Sequence, residues 1–151
     1  MTRDVYLGFL KLRGEKHEQT LQAAYNYASS FLSLQRFEEA KSLLRKLIPV
    51  ARRVLGENQG LTLDMRWNYA AALCKDPAAT LDDVREAVKT LEDTERTARR
   101  VLGGANPFVG MVEGTLRVSR EMLSACESAC DTGSESISEA FATMMMTPSP
   151  R

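Results

Sequence analysis

Charge of one sign is missing from this chain. Lys plus Arg and Asp plus Glu stand at 20 each, so no net field draws it to nucleic acid or to an anionic membrane. Long apolar runs are missing too. None approaches the roughly 20 residues that span a bilayer, and Arg3 and Asp4 interrupt the N-terminus where a signal peptide would carry its unbroken apolar core. Cysteine is scarce: Cys74, Cys126 and Cys130 are odd in number and lack framework spacing. That excludes a small disulfide scaffold and favours a reducing compartment, the cytoplasm. The single histidine, His17, has no Ser or Cys nucleophile placed near it in sequence, and a catalytic dyad needs base and nucleophile within hydrogen-bond reach. Cys126 and Cys130 share a helical face, yet zinc wants four ligands and no third and fourth stand close by. Gly103-Gly104 lacks the strand and the lysine of a phosphate loop. The expectation is no cofactor, no metal and no catalytic constellation.

What is present is repetition. Ala51-Arg52-Arg53-Val54-Leu55-Gly56 is written again as Ala98-Arg99-Arg100-Val101-Leu102-Gly103. Thr20-Leu21 and Asn26-Tyr27-Ala28 recur as Thr62-Leu63 and Asn68-Tyr69-Ala70 at one constant offset of 42 positions (20 to 62, 26 to 68). Self-similarity at such a period marks an array of one supersecondary unit, each burying its apolar face against the next.

Within the unit the apolar spacing is helical. Leu21, Tyr25, Ala28, Phe31 and Leu32 step at three or four residues and predict a helix A over about Glu18 to Leu34. Phe37, Ala40, Leu43, Leu44, Leu47, Ile48, Ala51, Val54 and Leu55 predict a helix B, with Glu38 and Glu39 in its first turn and Arg52 and Arg53 in its last, complementing the helix dipole. Pro49 deletes one backbone bond inside it and predicts a local bend. Glycines 14, 56 and 103 follow the last apolar turn of successive B helices and supply the left-handed residue that stops a helix. The second unit lengthens its internal turn by five residues around Lys75-Asp76-Pro77-Ala78-Ala79, then restarts at a capping box, Thr80-Leu81-Asp82-Asp83. Residues 4 to 13 read as the remnant of a preceding helix B. Asn106-Pro107 opens a third helix A carried to about Ala129, where Arg117 replaces Ala28 and Ala70 as a terminal element would. From Asp131 the composition turns to Ser, Thr, Gly and Glu, ending in Met144-Met145-Met146 and the dipeptides Thr147-Pro148 and Ser149-Pro150. Residues 131–151 are expected to be a disordered tail behind a helical domain of residues 1–130.

The unit resembles a tetratricopeptide repeat: a Gly-x-x-His-x-x-Thr-Leu link, Asn-aromatic-Ala in helix A, an aromatic-Glu-Glu-Ala start to helix B, and a Val-Leu-Gly end. It is longer than the common form of about 34 residues and is most similar to the extended repeats of kinesin light chains and nephrocystin-like proteins. The resemblance spans residues 5 to about 129. His17 matches the link histidine, which Gln59 and Asn106 replace elsewhere. Gln35 stands where the family's internal turn carries glycine.

That resemblance implies an all-α superhelix, a solenoid of antiparallel helix pairs, with about two full repeats flanked by partial ones. It implies that A helices line a concave groove in which an Asn holds the backbone of an extended peptide. Asn26 and Asn68 match that Asn; Thr115 takes the place in the third copy. The same face collects Gln22, Asn26, Ser29 and Ser33 in one helix and Asp64, Asn68, Ala71 and Lys75 in the next. An amide offers both a donor and an acceptor, as the peptide group does, and grips backbone without reading sequence. The alternative for Asn26 and Asn68 is a bond to a neighbouring helix. The expected function is a non-enzymatic scaffold or adaptor whose partner is a protein, with neither nucleic acid nor membrane involved. Its rival is a structural or self-associating piece of a longer array, because fewer than three complete units are marginal for independent stability.

Overall fold

In a computed structural model, which describes residues 2–132, those residues form six helices and no strand. These are α1 (Thr2–Arg13), α2 (Glu18–Ser33), α3 (Phe37–Val54), α4 (Gly60–Lys75), α5 (Leu81–Leu102) and α6 (Pro107–Thr132). Each helix packs on its neighbours in sequence, and α4 also touches both α2 and α6. The all-helical expectation holds. The helix bounds differ only at ends, with α2 stopping one residue short of Leu34 and α6 continuing past Ala129. Asp131 and Thr132, assigned above to the tail, are therefore helical, one further turn beyond buried Cys126. The remainder of that tail, with its Ser-Pro and Thr-Pro dipeptides, lies outside the described residues.

The links explain why the chain reverses where it does. Gly14, Gly56 and Gly103 have φ of 81°, 101° and 83°, backbone that L side chains adopt only with strain. Just beyond, His17 Nδ1 accepts the Gln19 N–H at 3.2 Å, and Asn106 Oδ1 accepts the Phe108 N–H at 2.9 Å. Gln59, at the equivalent place, makes no side-chain cap bond. His17 is thus a helix cap, in keeping with its reading as a link residue.

The two turns inside the units are built differently. After α2 the Gln35 N–H donates to the Leu32 carbonyl at 3.1 Å and the Arg36 N–H to the Phe31 carbonyl at 2.8 Å, a Schellman closure. Its left-handed residue is Gln35, φ 57°, the one described non-glycine residue with positive φ. The Arg36 guanidinium lies over the Phe31 ring, 4.9 Å from its centre. The longer turn after α4 is organised by Asp76, which is extended, as the residue before a proline prefers. Its Oδ1 accepts the Ala78 N–H at 2.9 Å and its Oδ2 accepts Lys41 Nζ of α3 at 2.8 Å. The capping box then forms as its residues predict: Asp83 N–H donates to Thr80 Oγ1 at 3.2 Å, and Thr80 N–H to Asp83 Oδ2 at 2.8 Å.

The core runs through the middle of the stack. Leu21, Leu44, Leu63, Met65, Leu73, Leu91 and Val112 are fully buried, each contributing about 1.5–3 kcal/mol by removal from water. Helix α4 is enclosed nearly all round, its buried residues running from Thr62 to Cys74 with few breaks, as a helix flanked by four others must be. α6 buries Val109, Val112, Leu116, Met122 and Cys126 and leaves Arg117 exposed, whereas Ala28 and Ala70 at the equivalent position are fully buried. Pro49 lies inside α3, which continues to Val54. No helix among the described residues is long and apolar enough to cross a membrane.

Candidate functional site

The residues at the predicted groove positions do not share one environment. On α2, Gln22, Asn26 and Ser33 are exposed and Ser29 is half-buried. Gln22 Nε2 donates to Asn26 Oδ1 at 3.4 Å, and Ser33 Oγ to the Ser29 carbonyl at 3.2 Å. On α4, Lys75 is exposed and Asp64 half-buried, but Asn68 and Ala71 are buried, at 5% and 4% exposure. Asn68 Nδ2 donates to Ser29 Oγ of α2 at 3.0 Å. Asn68 is therefore committed to a neighbouring helix, the alternative weighed for it in the sequence, whereas Asn26 is open to solvent.

The cause is position in the stack. Tyr25 of α2 lies beside Ser29 and Asn68, and burial, followed by the charge of Asp64, pushes its phenol up. Burial likewise pushes the Asp64 carboxyl up. Trp67, 42 positions after Tyr25 in the repeat, donates from Nε1 to Thr115 Oγ1 of α6 at 3.1 Å. Thr115 is the third-unit counterpart of Asn68, so at both places a side chain of one A helix holds the polar residue of the next, Ser29 in the first case and Trp67 in the second. Asn26 lies on the first A helix among the described residues and has no earlier A helix to hold it. A further pair, Cys74 Sγ and Ser119 Oγ at 3.3 Å, ties α4 to α6.

What stays accessible along these helices is Gln22, Asn26 and Ser33, with Lys75 and part of Asp64 and Ser29, continued on α6 by Met111, at 42%, and Val118, at 53% exposure. The arrangement offers amide and hydroxyl groups on one helix beside apolar contacts on another. Among the described residues no group of His, Cys, Asp and Glu is placed to hold a metal. The cysteines are free, Cys74 and Cys126 buried and Cys130 exposed.

Periodicity missed two ionic clusters that the fold assembles. Lys41 and Asp76 are each 7% exposed and meet across 35 positions. Glu38 joins from the preceding turn of α3. Burial is the largest influence and disfavours both charges, but the bond between them, together with Glu38, the Ala78 N–H and their mutual attraction, outweighs it, so the lysine is held above its ordinary range and the carboxyl below. A signal did exist: Lys41 lies one turn from Phe37 and Leu44 on the buried side of α3, where an ammonium requires a partner. The second cluster runs from Arg45 through the Tyr69 hydroxyl to Glu86, at 2.9 Å and 2.7 Å.

Comparison of the chain with protein-family models, with curated proteins and with solved structures finds no match.

Proposed function

We propose that the chain is a tetratricopeptide-like helical repeat, a cytoplasmic non-enzymatic scaffold that holds an extended segment of a partner protein along its A helices, α2, α4 and α6. The observation that carries the reading is the side-by-side contact of these alternate helices with Gln22, Asn26 and Ser33 left exposed along the first of them. A layer of A helices with solvent-exposed amides on its face is what a repeat protein uses to grip another backbone. The working site is narrower than the sequence alone suggests, because Asn68 and Ala71 serve the stack.

The test is recovery of a binding partner by affinity capture, then calorimetry of its minimal peptide on wild type and on Gln22→Ala with Asn26→Ala. The double variant should bind about tenfold more weakly, a loss of 1.4 kcal/mol, with its melting temperature unchanged. Equal affinity refutes the groove assignment. A second reading, self-association or service as part of a longer array, is favoured by α1, which buries no residue and exposes Val5 at 50% and Leu12 at 83%. Light scattering on the purified chain separates them: a concentration-independent monomer removes self-association.

A further inference from the structure

A cleft of about 440 Å³ opens between α3 and α5 over α4, lined by Arg45, Arg52, Arg66, Tyr69, Glu86, Lys89 and Asp93 with apolar support from Ile48 and Pro49. Four of these residues are cations and two are acids, and most are already engaged. Arg45 and Glu86 meet on the Tyr69 hydroxyl. Arg52 pairs with Glu57. Asp93 pairs with Arg96 at 3.5 Å. The two lining charges whose side chains make no hydrogen bond or ion pair are Arg66 and Lys89, and both are positive.

Arg66 is the more telling of the two. It is half-buried, whereas the other unpaired arginines of the described chain, Arg3, Arg13, Arg53 and Arg117, are all exposed. Burial depresses its guanidinium; through space Asp93 and Glu57 favour its charge and Arg52 opposes it. A charge taken partly out of water without a hydrogen-bonded partner is unfavourable. A planar fork of donors beside an ammonium matches a carboxylate.

We infer that this cleft binds a carboxylate, an acidic side chain of a partner polypeptide, with Arg66 as the two-pronged anchor and Lys89 as the second charge. The Tyr69 hydroxyl and the turn of α3 at Pro49 form the apolar and polar walls beside it. The site lies on the B-helix side and does not depend on the A-helix reading.

The experiment uses a fluorescein-labelled hexaglutamate peptide, read by anisotropy at low salt, with acetate and inorganic phosphate as competitors. Arg66→Gln should weaken binding about tenfold or more, the scale for losing one partner of a desolvated charge pair. Arg66→Lys should fall between, since it keeps the charge and loses the fork. Arg53→Gln, an exposed arginine on α3, should leave binding within about twofold, as rim charges do. In wild type, the Arg66 Nε–H resonance should move on titration, a readout that stands even if the variant folds poorly. Equal binding by Arg66→Gln, equal loss by Arg53→Gln, or an unmoved Arg66 resonance overturns the site. Displacement by phosphate at lower concentration than by acetate overturns the carboxylate assignment. Gln22→Ala with Asn26→Ala should leave hexaglutamate binding unchanged, so failure here and failure of the groove are told apart.

Discussion

Replacing Asp76 by alanine should destabilise the fold by about 3 kcal/mol, and the figure can be assembled from its contacts. The carboxylate accepts a charge-assisted bond from Lys41 Nζ at 2.8 Å, with both residues 7% exposed, and such bonds to charged groups contribute about 1.5–3 kcal/mol. It also accepts the Ala78 N–H at 2.9 Å, about 1 kcal/mol more. Breaking a buried pair can cost 3–5 kcal/mol when the survivor is stranded. Lys41 is not fully stranded, because exposed Glu38 remains beside it, and that sets the expectation at the low end. For a domain of this size about 3 kcal/mol lowers the melting temperature by roughly 10 °C. Lys41→Met should cost a similar amount. Lys41→Met with Asp76→Ala should cost less than the two singles summed, by about 1.5 kcal/mol or more of coupling.

The pH dependence gives the same prediction a second axis. The Asp76 carboxyl is depressed in the fold, so its contribution is present above the ordinary Asp value, about 4, and is lost as pH falls through the lower folded value. The Lys41 ammonium is raised, so its contribution is present below about 10 and is lost as pH rises through the higher folded value. Denaturant melts of wild type and Asp76→Ala should therefore stay a fixed distance apart between about pH 5 and 9 and converge below about pH 4. A variant that melts within about 3 °C of wild type, or a gap that does not close in acid, refutes the reasoning.

Two further substitutions test local features by thermal denaturation. Gln35→Gly should stabilise by about 0.5–1 kcal/mol, because relief of the left-handed backbone at φ 57° exceeds the added freedom of the unfolded chain; a lower melting temperature refutes it. Thr62 is fully buried and its hydroxyl is without a hydrogen-bond partner, so Thr62→Val should stabilise by about 1 kcal/mol by removing an unmet polar group, and a loss of stability would show that the hydroxyl is bonded.

The comparison of equivalent residues shows what a repeat discloses in sequence and what it withholds. Local chemistry was legible. Glycines 14, 56 and 103 take the positive φ that their places require, and Thr80 and Asp83 form their reciprocal cap. These outcomes depend on a few adjacent residues. Accessibility depends on what stands on either side, and the pattern of a single unit is silent about that. Asn26 and Asn68 each follow an aromatic and precede Tyr-Ala at the same helical phase, yet one is exposed and the other is 5% exposed, because only Asn68 follows another A helix with Tyr25 and Ser29 on its face. The buried position shared by Thr20, Thr62 and Val109 makes the same point. Thr20 donates to the Phe9 carbonyl at 3.4 Å, Thr62 finds nothing, and Val109 dispenses with the hydroxyl altogether. At the position equivalent to Phe9, the Ala51 carbonyl accepts the Gly56 N–H at 3.2 Å, whereas Gly14 donates to Leu10, so the carbonyl that serves Thr20 has another donor one unit later. The constraint at that position is volume and burial. Hydrogen bonding there is settled by the preceding helix end, which varies from link to link although the letters around it repeat.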